Sequence, residues 1–161
     1  ARRGSGIRKR VRPEAGAQAV KYLLDANVLS ELVRPRPDAV LAAAARTHEA
    51  ACATSSVVYL ELWSGVALLG DTARGRYLRD GYGQMFKGGG LPVLPFDAEA
   101  AYWLACERAR LAAIGHPPPL LDAQIAATAA TRNLTLVTRN TRDFECFRGL
   151  QLENWFDAEK S

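Results

Sequence analysis

Histidine is almost missing from this chain: of 161 residues, only His48 and His116 carry an imidazole. That argues against a histidine-built zinc centre and against an acid–base mechanism run by paired histidines. Cysteine is nearly as scarce. Cys52, Cys106 and Cys146 are far apart, odd in number and in no metal-binding spacing. They read as reduced, mostly buried thiols of a cytoplasmic protein rather than as a disulfide framework. No run of about 18 apolar residues occurs, so no membrane span is expected. The basic N-terminus is followed by no apolar segment of the secretory kind. The only methionine is Met85, so residue 1 reads as something other than a natural start.

Apolar residues make up 48% of the chain, enough for the core of one domain. The net charge of +4 is unevenly spread. Residues 1–21 hold seven basic groups against Glu14 alone, which leaves 14 basic and 16 acidic groups in the rest. The expected organisation is a basic arm over 1–20, a domain over 21–157 and a short tail over 158–161. The arm reads as a disordered or added extension, although such arms can also touch nucleic acid. The body is mildly acidic, and acids gathered at one site need a counter-charge, for which a divalent cation is one candidate.

Strand and helix signals alternate along the body. Lys21–Asp25 is a short apolar run ending in an acid, a buried strand. Ala26–Val33 is a helix stopped by Pro35 and Pro37. Asp38–Thr47 is an Ala-rich helix, and Ala51–Thr54 a second strand. A helix capped by Ser55 or Ser56 runs to Leu69, and Asp71 is the expected cap of another that reaches Phe86. After Gly88–Gly90, Leu91–Pro95 is a third strand. Asp97 caps a helix to Ile114, Leu121–Thr131 is a helix that Asn133 can end in a left-handed turn, and Thr135–Thr138 is a fourth strand. Leu150–Glu153 is a short edge strand. This order predicts an α/β fold with a parallel sheet covered on both faces, whose sites form at the carboxyl ends of the strands.

Four acids fall at informative places. Asp25 ends the first strand. Glu61 interrupts the apolar stretch Val57–Trp63. Asp122 opens a helix after three prolines. Asp143 lies in the polar loop Thr138–Asp143. Each has an ordinary explanation as a cap, a surface acid or a helix-dipole partner. Together they mark two strand ends and two flanking helices at one sheet edge. Four carboxylates in one pocket repel and raise each other's pKa values, a conflict that a hard cation such as Mg²⁺ or Mn²⁺ removes.

At these residues the sequence resembles a known family. Tyr22-Leu23-Leu24-Asp25-Ala26-Asn27-Val28-Leu29 looks like the opening of a PIN domain of the VapC or FitB type. Leu60-Glu61-Leu62-Trp63-Ser64-Gly65, Leu121-Asp122-Ala123-Gln124-Ile125 and Leu136-Val137-Thr138-Arg139-Asn140-Thr141-Arg142-Asp143 are similar to its later blocks, in the same order. The likeness covers about Lys21–Phe156. It implies a three-layer α/β sandwich around a parallel sheet and an Mg²⁺- or Mn²⁺-dependent ribonuclease that is the toxin of a toxin–antitoxin pair. By the same resemblance, Asp25, Glu61, Asp122 and Asp143 hold the metal, and Asn27, Thr138 and Asn140 support them. It further implies a homodimer, a cognate antitoxin, contact with DNA only through that antitoxin, and an RNA substrate for which tRNA is a candidate. Arg139 and Arg142 are placed to steer phosphates.

Three alternatives stand beside this reading. A dehalogenase-type phosphatase needs a second Asp where this chain has Asn27. A DNA-directed or RNA-processing nuclease of the same kind uses a similar acidic pocket. A domain that only binds a partner needs none of the acids, and all four are present.

Overall fold

In a computed structural model of the chain, the described residues are 19–156. Residues 1–18 of the expected arm over 1–20, residue 157 and the expected tail over 158–161 lie outside them. Five short strands form one parallel sheet: β1 (Tyr22–Leu24), β2 (Cys52–Ser55), β3 (Val93–Leu94), β4 (Thr135–Val137) and β5 (Gln151–Glu153). Their spatial order is β3-β2-β1-β4-β5. The helices are α1 (Ala26–Leu32), α2 (Ala39–His48), α3 (Ser56–Leu69), α4 (Ala73–Phe86), α5 (Ala98–Ala113), α6 (Leu120–Ala130) and α7 (Thr141–Phe144). The sheet lies between helical layers, the α/β sandwich expected.

The strands are short apolar runs because both faces are covered. Leu23, Leu24, Ala53, Leu136 and Val137 are all essentially inaccessible. Leu23, Leu24, Leu136 and Val137 join Val28, Leu29, Val58, Ile125 and Phe144 in one continuous core. Two polar groups within the sheet are satisfied in place. The Thr54 hydroxyl donates to the Leu24 carbonyl at 2.8 Å, and Ser55 caps α3 by accepting from the Val58 N–H.

The topology fixes where a site can form. From β1 the chain moves outward through β2 to β3, then returns to the opposite side of β1 as β4 and moves outward again to β5. The crossover helices therefore diverge between β1 and β4. In open parallel sheets that switch point leaves a crevice at the carboxyl ends of the strands. Leu24 is in register with Val137, so the next residues, Asp25 and Thr138, emerge side by side at that crevice.

Most boundaries agree with the sequence reading, with two corrections. Thr72, not Asp71, caps α4: its Oγ1 accepts from the Gly75 N–H at 3.0 Å, while Asp71 pairs with Arg76 at 3.1 Å. The shorter hydroxyl one residue on meets the free N–H of the third helical residue, and Asp71 is left outside the turn. The second correction concerns residues 138–143, expected as a loop. Thr141–Asp143 join Phe144 in the single turn α7, which carries Asp143. Its entry is held by the Asn140 N–H donating to Thr138 Oγ1 at 3.1 Å. Asn133 does adopt the expected left-handed conformation, with φ 53°.

Candidate metal centre

Asp25 is the pivot. It caps α1, one carboxylate oxygen accepting from the Ala26 N–H at 2.8 Å. The other accepts from the Thr138 hydroxyl at 2.7 Å and from the Asn27 side-chain amide at 3.0 Å. Asn27 also donates to Thr138 Oγ1 at 3.1 Å and accepts from the Arg139 N–H at 3.1 Å. Thr138 is completely buried and Asp25 only 6% exposed. A carboxylate so placed has a fixed rotamer, which a ligand of a small cation requires.

The other acids come from neighbouring elements. Glu61 lies on α3 beside the buried positions Val57, Val58 and Leu62, and α3 packs against both α1 and α6. Asp122 is in the first turn of α6, whose cap position is Pro119 with no side-chain acceptor to offer. Asp143 lies on α7.

The electrostatics tie the four together. Burial pushes the Glu61 carboxyl from 4.5 up to about 7, and the charges of Asp25 and Asp122 add to the shift. Asp122 is also raised, by burial first and then by Asp25 and Asp143. Burial raises Asp25 too, against its hydrogen bonds from Thr138, Ala26 and Asn27, and Asp143 adds to the rise. Asp25, Glu61 and Asp122 thus each feel at least one other acid of the four, although the four lie up to 118 positions apart in the chain.

None of the four forms an ion pair with a basic group among the described residues. Nor do any three acidic, histidine or cysteine side chains among the described residues converge closely enough to hold an ion as they stand. Mutual repulsion opposes such convergence until a positive charge enters. The donor set is all oxygen, partly desolvated and short of cations, which suits a hard divalent ion. Neither histidine belongs to it. His48 stacks on Tyr22 and Trp155, with centroids 4.9 and 5.4 Å away, at the amino end of β1. His116 is exposed in the turn after α5.

The supporting residues have distinct places. Asn27 and Thr138 bond Asp25 directly, whereas Asn140 contributes its backbone N–H and its exposed side chain caps nothing. Arg139 is engaged within the fold. Its guanidinium lies 3.8 Å from the Phe156 ring centroid and 3.5 Å from Glu31. Arg142 is exposed and makes no contact of that kind among the described residues. Glu31 was not anticipated. It is 7% exposed, pairs with Arg34 at 3.0 Å and accepts from the Asp38 N–H. The signal was its spacing, three residues after the buried Val28 on a helix whose buried positions include both.

A parallel sheet with acidic residues on the strand ends and helices around its switch point defines a class of α/β protein. The family model for the PIN domain matches residues 22–149, and the chain belongs to that family. It is 32% identical over 136 residues to the tRNA(fMet)-specific endonuclease VapC of Shigella flexneri, a match covering 84% of this chain and 98% of that protein. It is 33% identical over 140 residues to Toxin FitB of Neisseria gonorrhoeae, covering 84% and 99%. Among solved structures, DNA-bound VapBC from Salmonella typhimurium superposes with a TM-score of 0.73 at 30% identity, covering 84% of this chain and 98% of that one.

Proposed function

We infer that the protein is a divalent-metal-dependent endoribonuclease and the toxin of a toxin–antitoxin pair. The observation that carries the reading is the charge-coupled set Asp25, Glu61, Asp122 and Asp143 at the switch-point crevice, without a basic partner. The ribonuclease and toxin names of the similar proteins support it. The four acids would hold Mg²⁺ or Mn²⁺. Such an ion, when bound, activates water and neutralises charge on the phosphate being cut.

The chain's own residues do the positioning. Thr138 and Asn27 keep the Asp25 carboxylate in one orientation. Asn140 holds the Thr138 oxygen through its N–H. Arg142, and the exposed side of Arg139, meet the RNA backbone. Water attacks phosphorus, the bond to the 3′-oxygen breaks and that oxygen takes a proton. The products are a 5′-phosphate and a 3′-hydroxyl. The 2′-hydroxyl is not the nucleophile in this scheme; His48 is packed on Tyr22 and Trp155. A cognate antitoxin, assembly as a homodimer and a tRNA substrate belong to the same proposal, as does contact with operator DNA through the antitoxin alone. They rest on the similar complexes and on the tRNA(fMet) endonuclease.

The experiment is RNA cleavage by the full chain with and without chelator. EDTA should stop it, added Mn²⁺ or Mg²⁺ should restore it, and Asp25→Asn should abolish it. Cleavage that survives chelation, or a wild-type rate in the variant, would overturn the reading. Cleavage of DNA in preference to RNA would move the protein to a different nuclease class.

A further inference from the structure

A hollow lies between α1, α3 and α4, with Glu61 the one acid of the four on its lining. It has a volume of about 250 Å³, and Glu61 and Arg74 both line it. Glu61 is on the second turn of α3, Leu69 is its last residue, and Arg74 is the second residue of α4. At about 1.5 Å per residue, the hollow runs roughly 12 Å from the acid cluster along α3. Its walls are apolar, with Val66, Leu69 and Leu78. Its other side carries the Tyr82 hydroxyl, which donates to Ser30 Oγ at 3.2 Å.

Three features distinguish this hollow from ordinary packing between helices. Gly65 leaves it open: a Cβ at that position meets nothing within 4 Å. Glycine in mid-helix costs about 1 kcal/mol relative to alanine. Arg74 is exposed and makes no hydrogen bond or ion pair among the described residues, unlike its neighbours Arg76 and Arg79. Ser30 accepts from Tyr82 and donates to no acceptor among the described residues. One acid-lined end, an apolar wall, an uncommitted hydroxyl proton and a positive charge beyond them match one kind of occupant. It has a flat, weakly polar ring and an anionic group a few ångströms away.

We propose that the Gly65–Arg74 groove is a nucleotide subsite that binds the residue of single-stranded RNA next to the one cut, with the base on the apolar wall beside Ser30 and its phosphate on Arg74. The inference rests on the ribonuclease reading for its substrate class. It adds a residue, Arg74, and a cavity that the four acids do not require. Base stacking and phosphate contact are the two usual anchors of single-stranded nucleic acid.

The test measures binding of a short, labelled, mixed-sequence single-stranded RNA by fluorescence anisotropy in EDTA, where metal-dependent cutting is stopped, across a series of salt concentrations. Arg74→Ala should lower the slope of log affinity against log salt by about 0.7, the share of one single-strand phosphate. Gly65→Leu, which fills the open space with a good helix former, should weaken binding about tenfold, the range of one lost base stack. Arg108→Ala on α5 removes an equal charge elsewhere and should leave the slope unchanged. Circular dichroism checks that each variant is folded. An unchanged slope in Arg74→Ala, or an equal fall in Arg108→Ala, overturns the subsite, as does full affinity in Gly65→Leu. In those cases the groove serves another occupant. If the expected binding changes occur but wild type fails to cut RNA with Mn²⁺, the ribonuclease reading falls, and the groove stands as a nucleotide-binding site without the place beside a cut bond. If wild type cuts RNA and the variants bind normally, the subsite alone falls. If wild type does not bind RNA, both fall.

Discussion

Replacing Glu61 with glutamine should make the metal-free protein more stable, and more so at higher pH. The Glu61 carboxyl is raised from 4.5 to about 7, mainly by burial and then by Asp25 and Asp122. A carboxyl whose folded pKa lies above its unfolded value favours the protonated native state. That stabilisation is complete below about pH 4.5 and is lost as pH rises through about 7. At about 1.36 kcal/mol per pKa unit, the full difference is roughly 3 kcal/mol. Glu61 is partly open to solvent, and screening reduces this to about 1 kcal/mol. For a domain of this size that corresponds to a melting shift of about 4 °C. The assay is thermal unfolding in EDTA at pH 5 and pH 8. Wild type should melt lower at pH 8 than at pH 5, and Glu61→Gln should lose part of that difference by melting higher at pH 8. A residual slope should persist, because Asp25 and Asp122 are shifted in the same direction. If Glu61→Gln melts lower than wild type at pH 8, or shows the same pH slope, the acids do not repel one another and the electrostatic account is wrong.

Three further outcomes follow from the same contacts. Thr138→Val removes the donor to Asp25 Oδ2 and the acceptor for Asn27 and Asn140. It should cost about 1–3 kcal/mol in denaturant unfolding and about 10–100-fold in metal affinity; a neutral substitution would show that Asp25 needs no fixing. Asp97→Ala loses the cap of α5, where its carboxylate accepts from the Ala100 N–H, and the 2.7 Å pair with Arg132. A lower melting temperature is expected without effect on cleavage, as for other N-caps. Arg139→Ala unties Glu31 and Phe156 at once. It should lower stability as well as RNA affinity, whereas Arg142→Ala should lower RNA affinity alone.

Much of this architecture was legible because the strands and helices announce themselves locally. Asp25 ends an apolar run, the prolines before Asp122 close one helix and precede another, and Asn133 marks a left-handed stop. The joining of β1 to β4 was harder to see, since their residues lie over a hundred positions apart and only a parallel sheet brings them together. The Asp25–Thr138–Asn27 bonds depend on that pairing, so the sequence could offer these residues as candidates but not link them. Short-range competition hid other details. Thr72 displaced Asp71 as a cap by a difference of one residue, and a backbone bond to Thr138 turned an apparent loop into α7. Glu31 and Arg74 were missed for opposite reasons. Glu31 looks like a surface acid until its helix face is known, and Arg74 looks like any solvated arginine until the groove beside it is seen.

The most direct test of the central claim is calorimetric titration of Mn²⁺ into the chelator-stripped protein, repeated with Asp25→Asn. A saturable site in wild type that is lost or greatly weakened in the variant, with the Glu61-dependent pH slope of melting flattened once the ion is bound, is the result expected of four acids sharing one cation. Equal binding by both proteins, or no binding by wild type, would contradict it.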